Sequence, residues 1–494
     1  MTYIEQAIKQ MNTEEFKNMK NIYPESLNKF GNGHVFMAVL DGEDVLVSTE
    51  EASTYFHGKP HHLDEITYRI NTLTHENAQT IRKMFPFTAP TKVLDKKRSF
   101  GLGDRLGIAG SGHLDVFKKY DAYPVLAQQS IRELNLTNRR YEDVLDAATF
   151  AVLKEGYKDG YGADGDHLKK PEEIEYALSL GFSMITLDCS DYIRNDIGKM
   201  SDQEVLSFDV LSSEYENRYL NQSFNVNGHI ICFDELALKK SILIYKDAIE
   251  YAAKIYRTYL ADGNARANFE VSIDETGTPT SPTEHYFVAN ELALRNVKLD
   301  TMAPRFCGEF QKGVDYVGDI KQFELELMIH VAIAEHFGYK LSIHSGSDKF
   351  SIFELIGKHT KGHFHVKTAG TNWLEAMRVV AFADPKLYRE VHAYALSMFS
   401  EASKFYHVTT NLSNIPHLDS LKDEELVNLF KNNDARQLIH ITYGYILNVK
   451  DAQGEYVFKQ RLYRLWREKQ DIYREFLRKH IGRHLELLYA GFNQ

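Results

Sequence analysis

The chain has 494 residues and a formal net charge of −11, with 43% hydrophobic and 26% charged residues. The length exceeds that of one ordinary domain, and the composition is typical of a soluble globular protein. The acidic balance argues against nucleic acid or an anionic membrane as a partner, because both attract basic surfaces.

The cysteines and the amino-terminal residues narrow the class of protein further. Cys189, Cys232 and Cys307 are far apart and form no CxxC pair, so we expect neither a disulfide framework nor a cysteine zinc site. The first residues lack the apolar stretch of a secretory signal, and no run of about 18 apolar residues occurs. These features predict a cytoplasmic protein.

The sequence pattern of residues 1–95 predicts an N-terminal α+β extension that contains helices and a β-hairpin. The hairpin joins residues 35–40 to residues 45–47 through Asp41-Gly42, a dipeptide favoured in two-residue turns.

Strands and helices then alternate from residue 99 to about residue 385. The predicted strands cover residues 100–105, 123–130, 162–168, 182–188, 269–274, 298–305, 341–344 and 363–367. The predicted helices cover residues 112–119, 141–155, 171–180, 236–260, a segment that starts near 281, and residues 321–337 and 373–382. Alternation of this kind requires parallel pairing, and eight units close most naturally into a (β/α)₈ barrel over residues 99–385. An open doubly wound sheet is the alternative. Residues 386–494 predict a C-terminal helical region.

Polar residues alternate with apolar ones along the predicted strands. The apolar side chains are expected to contact the outer helices, so the intervening polar ones point into the barrel. This inward set comprises Arg105, Gln128, Asp166, Thr186, Asp188, Glu270, Ser272, His344, His365 and Lys367. A barrel interior is normally apolar, and buried polar groups are costly without partners or a metal. The set therefore predicts an active site at the carboxyl ends of the strands.

Three histidines, His167, His344 and His365, can reach that site. A lone strand histidine is usually structural, but imidazoles together with carboxylates suit Zn, Mn, Ni or Fe. No HExxH signature occurs. Asp166 and His167 are neighbours and cannot both face inward from a regular strand. Either Gly165 bends the chain, or His167 reaches the site from the strand end.

The loops after the last three predicted strands carry further charges. Lys349 and Lys367 lie near two small-residue turns that lead into helices, which favours an anion site for a carboxylate or a phosphate. Arg305 and Glu309 follow the sixth predicted strand and add a cation and an acid, with a surface ion pair as the alternative.

Five strings of this sequence together resemble the tagaturonate epimerase family. They are GADGDHLK at 162–169, APRF at 303–306, GEF at 308–310, HSGSDKF at 344–350 and FHVKTAGT at 364–371. The resemblance spans the predicted barrel. It implies a divalent-metal-dependent enzyme that interconverts D-tagaturonate and D-fructuronate in hexuronate breakdown.

The resemblance also implies roles for single residues. Asp166 and Glu270 are expected to form an acid/base pair, and His167, His344 and His365 are expected to bind the metal. The residues expected to contact the small sugar-acid substrate are Arg105, Gln128, Arg305, Glu309, Lys349 and Lys367. Glu309 is a further candidate for a metal ligand.

The two sugars differ at a carbinol carbon that one carbon separates from the ketone, so enolisation does not make its C–H acidic. We therefore expect a retro-aldol route, with proton transfer between two carboxylates as the alternative. A metal-dependent aldolase or sugar isomerase on the same barrel is a second functional hypothesis, and a non-catalytic sugar-acid-binding protein is a third.

Overall fold

A computed structural model describes residues 2–261 and 267–492. Eight parallel strands form a closed barrel in which neighbours in the ring follow the order of the chain. They are β1 (Arg98–Leu102), β2 (Tyr123–Ser130), β3 (Gly162–Leu168), β4 (Met184–Asp188), β5 (Asn268–Ile273), β6 (Thr301–Pro304), β7 (Lys340–Ile343) and β8 (Phe364–Thr368). β8 pairs with β1 and closes the ring, with Lys367 opposite Gly101. The predicted (β/α)₈ barrel is confirmed, and the open sheet is excluded.

The strand bounds follow the prediction closely, except at the first and sixth strands. β1 ends at Leu102, because the Asp104 carboxylate accepts hydrogen bonds from the backbone N–H groups of Leu106, Gly107 and Ala109. That local turn takes Arg105 out of the strand and into the loop at the barrel mouth. β6 is shorter than predicted at both ends.

Helices follow the strands around the outside of the barrel. They are Gly110–Phe117, Ile131–Thr137, Tyr141–Lys154, Pro171–Leu180, Glu235–Tyr259, Pro282–Leu294, Ile320–Phe337, Phe350–His359 and Thr371–Ala383. Ser281 begins one of them with a capping box, in which its side chain and that of Glu284 each bond the other residue's backbone N–H. Between β4 and the long helix Glu235–Tyr259 lie the helices Asp202–Ser207 and Ser213–Tyr219 and the hairpin Ser223–Val226 with His229–Cys232.

The N-terminal extension is a five-stranded antiparallel sheet with flanking helices. Its strands are Ile22–Phe30, Gly33–Leu40, Glu43–Thr49, Pro60–Leu63 and Ile66–Asn71, and its helices are Tyr3–Gln10, Glu14–Lys17, Glu50–Ser53 and His75–Met84. The predicted hairpin is present: Leu40 pairs with Glu43, and Asp41 and Gly42 both have positive φ, as the favoured hairpin turn requires. The other three strands lack a clear period of two and were not predicted.

The C-terminal region contains the helices Pro385–Ala402, Asn433–Ile441, Tyr443–Asn448, Lys459–Glu468 and Gln470–Phe492. It is not helical throughout, because residues 403–431 form short 3₁₀ turns and irregular segments. The last helix packs closely on Phe350–His359. A Cβ atom added to Gly357 would collide with the backbone carbonyl of Leu488, and one added to Gly491 would collide with that of Glu354.

Across residues 2–261 and 267–492, no helix is both long enough and apolar enough to cross a bilayer.

Candidate active site

The ammonium group of Lys367, on β8, is at the centre of a buried polar cluster inside the barrel. Its Nζ donates to Asp164 Oδ2 (2.7 Å), Asp166 Oδ1 (2.5 Å), Thr186 Oγ1 (2.8 Å) and Glu270 Oε1 (3.3 Å). Burial acts to lower the pKa of Lys367, but the three carboxylates outweigh burial and raise that pKa well above its ordinary value. Lys367 is therefore a fixed positive charge that gathers carboxylates from β3 and β5.

Glu270 on β5 holds the imidazole of His344, which follows β7. Glu270 Oε1 lies 2.7 Å from His344 Nε2, and Thr301 Oγ1 donates to the other oxygen at 2.6 Å. Burial acts to raise the pKa of Glu270, but Lys367 and His344 lower it overall. A cavity opens above this cluster, at the carboxyl ends of the strands, and Glu270 is fully buried and does not line it. Glu270 therefore lies behind His344.

Asp166 and His167 form a second pair of carboxylate and imidazole. His167 Nδ1 lies 2.8 Å from Asp166 Oδ1. The two neighbours face the same side because His167 has a positive φ of 56°, and the pairing of β3 with β4 shifts register after Gly165. A register shift of this kind is a β-bulge, which commonly redirects a side chain beside an active site. A non-glycine residue with a positive φ stores backbone strain. The structure thus places the irregularity at His167 itself, inside β3, between Gly165 and the strand end at Leu168.

His167, His344 and Asp274 place one ligand atom each within 4.8 Å of one another. The two imidazole rings lie 5.0 Å apart, and His344 Nδ1 lies 3.4 Å from Asp274 Oδ1. His344 Nδ1 is buried and makes no hydrogen bond to any residue that the structure describes. Two imidazoles and a carboxylate are a common donor set for divalent transition metals. These three residues could hold a metal ion.

Sequence reasoning missed Asp274 and also missed Asp164. Both were detectable: Asp274 continues the alternation of Glu270 and Ser272, and Asp164 precedes Asp166 by two residues.

The structure does not bring His365 into this group. Its Nδ1 lies 3.0 Å from Ser99 Oγ, and its buried Nε2 has no partner among the residues described. Burial lowers the pKa of His365 to about 3. His365 precedes Lys367 by two residues on β8, so it faces inward as predicted but lies one layer deeper in the barrel.

A cavity of about 300 Å³ opens above the cluster. Of the predicted residues, seven line it: Arg105, Gln128, Asp166, His167, Asp188, His344 and Lys367. Arg105 is fully buried; its guanidinium lies 2.7 Å from Glu133 Oε1 and stacks on the Tyr443 ring. Gln128 donates to the Thr368 carbonyl, and its own Oε1 is buried without a described partner.

Arg305 and Glu309 line an adjoining cavity instead, which shares Asp274, His344 and Lys312 with the first. Arg305 donates to the carbonyl of Thr276, and Glu309 lies 3.3 Å from His407 Nε2. Glu309 does not belong to the group of three potential metal ligands.

Lys349 lines neither of these cavities. Its buried Nζ donates to the backbone carbonyls of Gln311 (3.0 Å), Val314 (2.7 Å) and Ser347 (2.9 Å). These three bonds use all three N–H donors, so the structure turns Lys349 away from any substrate in the cavity.

A parallel eight-stranded barrel with paired carboxylates and imidazoles beneath a cavity at the carboxyl ends of its strands is the architecture of a (β/α)₈-barrel enzyme. The sequence matches the family described as tagaturonate epimerase over residues 23–488. It is 42% identical to the tagaturonate/fructuronate epimerase of Thermotoga maritima over 455 residues, which are 91% of this chain and 92% of that protein.

Crystal structures of the fructuronate-tagaturonate epimerase of Cohnella laeviribosi have the same fold. The glycerol-complexed form superposes with a TM-score of 0.93 at 48% identity, and the native form with a TM-score of 0.93 at 47% identity. Both alignments cover 99% of each chain. The chain belongs to the tagaturonate epimerase family and is therefore an isomerase of the epimerase type.

Proposed function

We propose that this protein interconverts D-tagaturonate and D-fructuronate, and that a divalent cation held by His167, Asp274 and His344 takes part. The observation that supports this most strongly is the convergence of two carboxylate–imidazole pairs and Asp274 at one cavity, in a chain of this family. The cavity volume of about 300 Å³ is at the lower end of the range typical of small-molecule sites and suits a six-carbon sugar acid.

The donor nitrogens follow from the hydrogen bonds. Asp166 engages Nδ1 of His167, so Nε2 is the nitrogen left to bind a cation. Glu270 engages Nε2 of His344, so Nδ1 is left, next to Asp274. In many metalloproteins a carboxylate orients the metal-binding imidazole in this way and raises its basicity. A cation at this position would act as a Lewis acid on the substrate ketone.

Asp166 is the base that we assign to the substrate hydroxyl. It lines the cavity, and its Oδ1 takes both the Lys367 and the His167 contacts, so Oδ2 remains to accept a proton. Burial acts to raise the pKa of Asp166, but Lys367 and His167 lower it overall. Asp166 is thus ionised before the reaction. Because a carboxylate of low pKa is a weak base, it takes the hydroxyl proton only as the C–C bond breaks.

The retro-aldol route needs no reactant besides the substrate, because every bond that breaks forms again and the proton that is removed is returned. Asp166 takes the proton of the hydroxyl on the inverting carbon, and the C–C bond towards the ketone breaks. The electron pair of that bond passes to the ketone side as an enediolate, while the inverting carbon becomes an aldehyde. The aldehyde turns its other face, the bond forms again, and Asp166 returns the proton.

The two-base alternative requires two carboxylates on opposite faces of the inverting carbon. Of Asp166 and Glu270, only Asp166 lines the cavity, since Glu270 lies behind His344. This arrangement does not suit Glu270 as the second base and gives it the role of positioning His344.

The test is to incubate purified protein with D-tagaturonate in D₂O and to follow the products by NMR. We expect D-fructuronate with no deuterium at the inverted carbon, and loss of turnover after chelation that added metal reverses. Deuterium at that carbon would contradict the retro-aldol route. Accumulating fragments would indicate an aldolase, and binding without turnover would indicate a sugar-acid-binding protein.

A further inference from the structure

An anionic substrate needs a cation at the cavity wall, and half of the cations there are already paired with carboxylates of the protein. The cationic residues that line the cavity are Arg105, Arg132, Lys169, Lys170, Lys312 and Lys367. Arg105 pairs with Glu133 and Lys169 with Asp191, at 2.7 Å in each case. The contacts of Lys367 with three carboxylates are described above. Arg105, Lys169 and Lys367 are therefore engaged in ion pairs within the protein.

Lys312 differs from the remaining cations in its surroundings. Arg132 and Lys170 are exposed, whereas Lys312 is partly buried. The polar contact of its Nζ is with Ser345 Oγ at 3.5 Å, and the described part of the chain places no carboxylate in ion-pair contact with it. Burial lowers the pKa of Lys312 and Arg105 acts in the same direction, while the more distant carboxylates of Glu133, Glu275 and Asp166 act against them. A partly desolvated ammonium that has no carboxylate in direct contact is stabilised by an incoming anion.

The backbone that carries Lys312 is fixed in place. Residues 311–314, here called the clamped segment, have four consecutive carbonyl oxygens that accept hydrogen bonds from side chains. The bonds run from Lys349 Nζ to Gln311 O (3.0 Å) and Val314 O (2.7 Å), from Gln437 Nε2 to Lys312 O (3.2 Å), and from Arg436 Nε to Gly313 O (2.7 Å). These donors are buried or nearly so. A site held this way loses little entropy when a ligand binds.

The position of Lys312 also suits a substrate that reaches the cluster below. Ser345, its contact, directly follows His344, and both Lys312 and His344 line the cavity. A sugar acid whose ketone and hydroxyls lie at His344 and Asp166 can place its carboxylate against Lys312.

On these grounds, and resting on the proposed function, we propose that Lys312 binds the carboxylate of the substrate and selects a sugar acid over the corresponding neutral ketose. Lys349, which the sequence suggested as an anion ligand, then acts as a positioning residue that holds the clamped segment.

The experiment compares wild type, Lys312→Met, Lys312→Arg and the matched control Lys170→Met. Each is assayed with D-tagaturonate and with D-tagatose, which has CH₂OH in place of the carboxylate. A charged hydrogen bond is typically worth a factor of roughly 10 to 100 in affinity. We therefore expect Lys312→Met to raise KM for the acid by about that factor, with a much smaller change in kcat and no change with the neutral sugar.

Lys312→Arg should recover much of the affinity for the acid, and Lys170→Met should resemble wild type. Equal losses with acid and neutral sugar, an unchanged KM for the acid in Lys312→Met, or a larger effect in Lys170→Met would overturn the proposal. Thermal unfolding of each variant shows whether it is folded. If wild type does not turn over D-tagaturonate, the proposed function fails, and calorimetric titration of the sugar acid into wild type and Lys312→Met still decides the role of Lys312.

Discussion

His344 lies between two carboxylates, with its Nε2 2.7 Å from Glu270 Oε1 and its Nδ1 3.4 Å from Asp274 Oδ1. Burial acts to lower the pKa of His344, but Asp274 and Glu270 raise it overall. One carboxylate therefore orients the ring from the barrel interior, and the other faces the cavity beside it.

Asp274 and His365 can be separated by their metal content. We expect Asp274→Asn to lose most of the bound metal, because it removes a charged donor from the group of three. His365→Gln should retain the metal, because His365 lies one layer deeper and contacts Ser99. Elemental analysis of dialysed protein makes the comparison. Full metal content in Asp274→Asn, together with metal loss in His365→Gln, would reverse the assignment.

Glu270→Gln tests the positioning of His344. The amide keeps the size of the side chain but loses the charge that fixes the imidazole. Substitutions of this kind typically weaken metal binding about 10- to 100-fold. We expect a loss of that size in metal affinity by competitive titration, with lower activity that added metal partly restores. Metal affinity equal to wild type would show that Glu270 acts on the substrate by another route.

His167 occupies a backbone conformation that few residues tolerate. Asparagine adopts positive φ readily, whereas a β-branched residue does not. Both His167→Asn and His167→Val remove the imidazole, so both should lose activity. Of the two, we expect the valine variant to unfold more easily by about 1–3 kcal/mol, measured in urea. Equal stability of the two variants would argue against strain at this residue.

The contact between the last helix and Phe350–His359 depends on glycine at position 357. We expect Gly357→Ala to destabilise the protein by about 1–3 kcal/mol. The added methyl group would collide with the backbone carbonyl of Leu488, which cannot rotate away as a side chain could. Gly482→Ala, in the same last helix, is the control. Its Cβ would meet no atom within 4 Å, so it should be neutral or stabilise the helix by up to about 1 kcal/mol. Differential scanning calorimetry compares the two.

His392, on the helix Pro385–Ala402, makes the free energy of unfolding depend on pH. Burial lowers its pKa to about 4, and neither ring nitrogen has a hydrogen-bond partner in the described structure. Its pKa in the unfolded chain is about 6.5, so between pH 6.5 and 4 the unfolded state binds more protons. Stability contributed by this residue therefore falls as the pH falls through that window.

The substitution His392→Leu removes the contribution of His392 to the pH dependence of the unfolding free energy. From pH 7.5 to 5.5, we expect the variant to lose about 1 kcal/mol less unfolding free energy than wild type, measured by urea titration at each pH. His417→Leu, at an exposed position, should follow the wild-type curve. A pH dependence identical in wild type and His392→Leu would contradict the expectation.

Hydrophobic periodicity predicted which way most of the strand residues point. It gave β2 and β3 with their bounds, and it predicted Asp166, Glu270, His344 and Lys367 as inward residues. It could not give the depth of a residue in the barrel, because depth depends on the tilt and register of all eight strands. His365 was therefore assigned to the metal group, while Asp274 was left out.

The sequence by itself determined the alternation of strands and helices, and with it a closed barrel that carries an unusual number of charges. The family strings added the activity to be expected. Only the tertiary structure decided which charges meet. Lys349 bonds carbonyls at residues 311 and 314, and among the residues that the structure describes no carboxylate is in ion-pair contact with Lys312. These contacts depend on segments around residues 312, 349 and 436 that come together only in the folded chain. Local patterns report the preferences of neighbouring residues, whereas the pairing of buried charges depends on contacts between residues far apart in sequence.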